Sequence, residues 1–136
     1  MTMSRTRVLI LCTGNSARSQ MAEGLLRHEA GDRFEVFSAG TKPARVRPEA
    51  IQAMAEIGID ISKHRSKSVD EFVGQDLDYV ITVCSNANET CPVFPCATRR
   101  LHWPFDDPAA ADDAAAFRGI RDQIHDRIME FLAVEL

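Results

Sequence analysis

At 136 residues the chain is long enough for one hydrophobic core and too short for two, so residues 1–136 read as a single domain. Its 45% hydrophobic and 26% charged residues are ordinary for a globular protein, and a formal charge of −4 speaks against a general nucleic-acid surface. No apolar run approaches the ~18–20 residues of a membrane span, and four cysteines without an export signal fit a reducing, cytoplasmic setting in which thiols do chemistry.

Arg7–Cys12 is the first predicted strand; its apolar centre, Val8–Leu11, is too short for a signal peptide. The loop TGNSARS follows, and Ala17–Glu29 then places Ala17, Met21, Leu25 and Leu26 on one helical stripe. Phe34–Ser38 alternates as a second strand closed by Ala39-Gly40. A second helix starts near Pro48, runs through Ile51, Met54, Ala55 and Ile57, and ends at Gly58. Tyr79–Val83 is a third strand, apolar enough to be covered on both faces, and Arg99–Trp103 a weaker fourth. From Asp112 to Leu136 the residues Phe117, Ile120, Ile124, Ile128, Phe131 and Leu132 recur at helical spacing. Strands alternating with helices imply an α/β fold, a four-stranded parallel sheet flanked by helices on both faces. Sites in such folds lie beyond the carboxyl ends of the strands. The first and third strands end at Cys12 and Cys84.

The segment Cys12-Thr13-Gly14-Asn15-Ser16-Ala17-Arg18-Ser19 has the form C-x5-R-S between a strand and a helix. Successive backbone N–H groups of such a loop point at a central anion, and the helix dipole favours negative charge there. Thr13 to Ser19 therefore form a candidate oxyanion cradle, with Gly14 expected to supply the backbone freedom the loop needs. Arg18 can cap the anion with a two-pronged guanidinium. The same positive field favours Cys12 as a thiolate nucleophile, supported by a hydrogen bond from Ser19, while Asn15 holds the loop in shape. A second element, Trp103-Pro104-Phe105-Asp106-Asp107-Pro108, suits a general acid whose loop is stiffened by proline.

CTGNSARSQMAE, SAGT (Ser38–Thr41) and HWPFDDP (His102–Pro108) resemble the low-molecular-weight protein tyrosine phosphatase family, and within it the arsenate reductase branch. The resemblance runs from Arg7 to the final helix. It implies Cys12 as nucleophile, Arg18 as oxyanion ligand, and Asp107, which directly precedes the proline, as general acid in place of Asp106. The phosphatase branch carries aromatic residues after that proline. This chain has Ala109-Ala110-Ala111-Asp112 there, and its one tyrosine, Tyr79, lies in a predicted strand.

Cys84 and Cys91 form a C-x6-C pair that resembles the redox pair of thioredoxin-linked arsenate reductases. The implied substrate is arsenate, the implied partner thioredoxin and the implied state a monomer. No cofactor or metal is required, since the electrons come from thiols. The implied sequence is attack of Cys12 on arsenate, a Cys12–Cys84 disulfide on release of arsenite, then Cys84–Cys91. Neighbouring strands lie ~5 Å apart and a disulfide needs Cα atoms ~4.4–6.8 Å apart, so adjacency of the first and third strands would bring Cys84 within reach of Cys12. A helical Ser85–Thr90 could not survive a Cys84–Cys91 bond, so oxidation should loosen residues 84–96. The spacing of Cys84, Cys91, Cys96 and His102 matches no zinc-finger pattern, and Cys96 reads as a packing or surface thiol, or an alternative resolving cysteine. Some relatives hold potassium through positions corresponding to Asn15, Glu23, Ser38 and an aspartate. Lys67 stands at that last position, either as a replacement for the cation or as an ordinary surface lysine.

Overall fold

The structure is a computed structural model and describes residues 5–83, 97–108 and 113–135. The first strand, β1, spans Thr6–Cys12 and is followed by α1 (Arg18–Ala30), β2 (Phe34–Gly40), α2 (Pro48–Ala55), β3 (Leu77–Thr82), β4 (Ala97–His102) and α3 (Ala114–Glu135). The four strands form one sheet in the order β2-β1-β3-β4, every neighbouring pair parallel. β1 is thus central, which explains its unbroken apolar run: Val8 to Leu11 are wholly buried.

Alternate residues of that run serve two cores. Val8, Ile10 and Cys12 join Met21, Leu25 and Leu26 of α1, Met54 of α2, and Phe117, Ile124 and Ile128 of α3. Leu9 and Leu11 face the other way, with Val80, Leu77 and Phe72. Among the described residues, the three α-helices share the first core. The second is closed by Phe72 and Val69 of a short 3-10 turn, Val69–Phe72, that the sequence reading left unassigned. All six apolar residues picked out in the last helix are buried, and Phe131 gathers Phe34, Tyr79 and Trp103 around its ring at 5.4–5.8 Å. Tyr79 is a core residue, as its place in a strand suggests.

Several boundaries shift by a residue or two, and two of these shifts have identifiable reasons. β2 runs on through Ala39 and Gly40, because Gly40 pairs with Cys12 and its N–H donates to Lys67 O at 2.8 Å. α2 stops at Ala55. Gly58 adopts φ +80°, Ile59 N–H turns back to Met54 O at 3.0 Å, and the chain leaves the helix axis. Ile57 is therefore 42% exposed instead of continuing the apolar stripe, while Ile59 and Ile61 enter the core.

β1 and β3 are neighbours, with Leu11 opposite Thr82 and Val83 N–H donating to Leu11 O at 2.9 Å. The described chain thus leaves the sheet beside the strand end that carries Cys12, one residue before Cys84. Cys84, Cys91 and Cys96, and the proposed loosening of residues 84–96, lie outside the described residues.

Candidate active site

The loop from Thr13 to Ala17 is held from its outer side. Thr13 O accepts from Lys42 N–H (2.9 Å), Gly14 O from Ala44 N–H (3.1 Å) and the Ser66 hydroxyl (2.9 Å), and Ser16 O from Arg47 N–H (2.9 Å). The Gln20 amide donates to Asn15 O at 3.2 Å. In a planar trans peptide the carbonyl and the following N–H point in opposite directions. Tying these four carbonyls outward therefore turns the N–H groups of Gly14, Asn15, Ser16 and Ala17 inward. Asn15 N–H shows the direction, since it donates to Cys12 Sγ at 3.2 Å. Ala17 offers no side-chain cap to α1, which leaves the N–H groups of the helix start for an anion. Thr13 Oγ1 is buried with no hydrogen-bond partner among the described residues, a further polar group left over in the loop.

The left-handed residue of this loop is Asn15, at φ +48°, and not Gly14, which has no positive φ. The expectation for Gly14 is corrected accordingly. Asparagine tolerates this region because its side chain hydrogen-bonds locally. Here the amide donates to Ser19 Oγ at 2.7 Å, and Oδ1 accepts from Gln20 Nε2 (2.9 Å) and Lys67 N–H (2.8 Å). The glycine that the cradle needs is Gly40 on β2. A Cβ there would lie 2.4 Å from Thr13 O and 3.0 Å from both Asn15 N and Cys12 O. Backbone touches backbone at that point, so no side chain fits.

Cys12 sits at the cradle floor, 2% exposed. Its sulfur lies 2.9 Å from Ser19 Oγ. Ser19 already accepts from the Asn15 amide, so its own proton is available to the sulfur. With that proton directed at the sulfur, Cys12 Sγ accepts two hydrogen bonds, from Ser19 and from Asn15 N–H. Arg18, 4% exposed, directs one guanidinium nitrogen to Phe105 O at 3.1 Å and another toward Asp107 Oδ2 at 3.8 Å. Trp103 and Phe105 are buried and anchor the acidic loop, Trp103 against Phe131 and under Arg127, while Asp106 and Asp107 are exposed. Of the two carboxylates, Asp107 is the one that faces Arg18. Cys12, Asn15, Arg18, Ser19 and Asp107 are thus brought to one place.

Sequence reasoning missed Gln20, His64 and Gly40. Gln20 is buried and donates to Asn15 and to Arg65 O at 3.0 Å. Its Oε1 meets His64 Nδ1 at 3.0 Å, and His64 Nε2 meets Arg27 Nη1 at 3.2 Å. Arginine can only donate, so Nε2 accepts, Nδ1 carries the proton, and His64 is neutral. Burial lowers its pKa below the ordinary value, against the pull of Glu23. Glu23 lies beneath this layer, 5% exposed, accepting from the Ser38 hydroxyl and paired with Arg27 at 2.7 Å. No periodicity marks these polar residues, because their partners come from distant loops.

A cysteine sulfur at the floor of an inward-facing N–H nest beside an arginine is an arrangement that suits a tetrahedral oxyanion. The chain belongs to the low molecular weight phosphotyrosine protein phosphatase family, whose sequence pattern matches residues 7–136. It is 46% identical over 134 residues to an arsenate reductase of Halalkalibacterium halodurans, covering 95% of this chain and 96% of that protein. Among solved structures, an arsenate reductase in a phosphate-binding state superposes with a TM-score of 0.83 at 34% identity, covering 94% of this chain and 97% of the other. The thioredoxin-dependent arsenate reductase of Corynebacterium glutamicum gives 0.77 at 32% identity, covering 98% of this chain and 63% of its own.

Proposed function

We propose that the protein reduces arsenate to arsenite, with Cys12 as nucleophile and thioredoxin as the final reductant. The observation that carries the proposal is the doubly hydrogen-bonded sulfur of Cys12 at the floor of an inward-facing N–H cradle, beside buried Arg18. The relatives named above supply the oxyanion.

Arsenate, a trianion when fully ionised, enters with its oxygens on the N–H groups of Gly14 to Ala17 and on Arg18. The Cys12 thiolate forms a sulfur–arsenic bond, and an arsenate oxygen leaves as water, protonated by Asp107. Arsenic is still pentavalent at this stage. Attack of the Cys84 thiolate on Cys12 Sγ makes a Cys12–Cys84 disulfide, and the sulfur–arsenic electron pair passes to arsenic, which departs as trivalent arsenite. Cys91 then attacks Cys84, expels the Cys12 thiolate and leaves Cys84–Cys91. The dithiol of thioredoxin reduces that bond by exchange. Two thiols are oxidised for each two-electron reduction of arsenic, so the balance closes without metal or flavin.

The N–H cradle and Arg18 would hold phosphate equally well, so slow hydrolysis of small aryl phosphates is expected as a side activity. The run Ala109-Ala110-Ala111-Asp112 after Pro108 offers no ring to pack on a phosphotyrosine, which favours the reductase reading. Supplying arsenate, thioredoxin, thioredoxin reductase and NADPH tests it: NADPH should be consumed in proportion to arsenite formed. A protein that hydrolyses aryl phosphate but consumes no NADPH with arsenate would be a phosphatase.

A further inference from the structure

Glu23 is a buried carboxylate under the cradle, and its neighbours determine what cation it can accept. Oε2 is paired with Arg27 at 2.7 Å; Oε1 takes the Ser38 hydroxyl and lies 3.7 Å from Lys67 Nζ. The Lys67 side chain is 12% exposed, far from an ordinary surface lysine, and Nζ also donates to Arg65 O at 3.0 Å. Its pKa is lowered, by burial first, with Glu23 opposing. A free potassium ion beside Glu23, Ser38 and Asn15 would share this space with an ammonium already directed at the same carboxylate oxygen. Like charges that close repel. The residues present therefore do not fit a free cation. Among the described residues, no cluster of three histidine, cysteine or acidic side chains offers another place for one.

The backbone of Lys67 is tied to the same loop. Its N–H donates to Asn15 Oδ1 at 2.8 Å and its carbonyl accepts from Gly40 N–H at 2.8 Å. Asn15 in turn donates to Ser19, which lies against Cys12 Sγ. We propose that Lys67 is a positioning residue of the cradle: its ammonium is a built-in cation beside Glu23 that orders the segment whose backbone N–H and carbonyl hold Asn15 and Gly40, and it makes oxyanion binding independent of monovalent ions. The ammonium is covalently attached to the segment it must order, so it needs no ion from solution. The inference rests on the oxyanion-cradle reading of the site, and not on arsenate being the oxyanion turned over.

The test is binding of inorganic phosphate to the reduced full-length protein, read calorimetrically and as protection of the Cys12 peptide from iodoacetamide. It is run in potassium chloride and in choline chloride at equal ionic strength. The wild type should bind phosphate equally in both salts. Lys67→Met should bind on the order of 10-fold more weakly, the scale typical of removing a group that supports a site residue. Lys67→Asp should bind weakly in choline and recover in potassium. Tighter binding by the wild type in potassium would overturn the proposal, and that arm needs no variant to fold. So would a folded Lys67→Met whose phosphate affinity matches the wild type whatever its thermal stability, or a Lys67→Asp indifferent to potassium. These readouts do not pass through arsenate reduction, so failure of the reductase reading would leave them interpretable.

Discussion

Gly40→Ala is the sharpest perturbation of the cradle, because it adds one carbon at a point where two backbones touch. The new Cβ would lie 2.4 Å from Thr13 O, whereas ordinary contact begins near 3.4 Å. The carbonyl must retreat by the difference, about 1 Å, and Asn15 N and Cys12 O, each at 3.0 Å, restrict the direction it can take. Thr13 O is also the acceptor for Lys42 N–H, so the movement strains an outer tie of the loop. Overpacking of this kind costs about 1–3 kcal/mol, and a chain of this size loses roughly 3–4 °C in Tm per kcal/mol. Misplacing a reacting group by ~1 Å can cost ~10²-fold in rate. The expected variant is folded, melts roughly 3–12 °C lower, and has kcat/KM for arsenate reduced by about two orders of magnitude. Thermal denaturation and the NADPH-coupled assay, measured on one preparation, read both. A Gly40→Ala protein with wild-type kcat/KM would refute the claim that backbone contact between β2 and the loop shapes the cradle.

Arg18→Lys should weaken phosphate and arsenate binding by about 10- to 150-fold, the equivalent of losing ~1.5–3 kcal/mol of charged hydrogen bonding, because an ammonium cannot make the two-pronged contact; competition kinetics would show it. Asp107→Asn should lower kcat by roughly 10²–10⁴-fold with little change in oxyanion affinity, and an unaffected Asp107→Asn beside an inactive Asp106→Asn would transfer the acid role to Asp106. Stability should fall under mild acid through His64. Its folded pKa is depressed, so the unfolded chain takes up the proton first, and stability present above the ordinary value of 6.5 is lost as pH falls from there through the folded value. Charging Nε2 would also set it against the Arg27 guanidinium. Melting curves from about pH 7.5 to about pH 5.5 should therefore show a Tm decline that His64→Gln makes shallower; identical slopes would remove His64 from the account.

The sheet was legible because β1 and β3 are apolar runs and the helices carry apolar residues at regular spacing. C-x5-R-S marked the cradle because strand, anion-binding loop and helix follow one another without interruption. The supporting layer was not legible in the same way. Gly40 reads as a strand end until β1 and β2 are paired, and only then does its missing Cβ matter. Gln20 and His64 act through contacts with residues about 45 positions away or across loops, which no local pattern records. Asn15 was expected to shape the loop and Gly14 to supply its backbone freedom, but the left-handed residue is Asn15, and the side-chain bonds that let asparagine adopt that conformation involve Ser19, Gln20 and Lys67. Gly58 was expected to end α2, and at φ +80° it does so, but the last helical residue is Ala55, and Ile57, though it keeps the periodicity, lies in the turn that follows.

In the proposed reaction Cys12, Cys84 and Cys91 divide one two-electron reduction among them. A single-turnover experiment without thioredoxin tests it most directly: fully reduced protein is mixed with excess arsenate, arsenite is quantified, and disulfides are mapped by mass spectrometry. One arsenite per chain with a Cys84–Cys91 disulfide is expected, none from Cys12→Ser, and a trapped Cys12–Cys84 bond in Cys91→Ser. Arsenite formed with all three thiols still reduced, or a full turnover by Cys12→Ser, would contradict it.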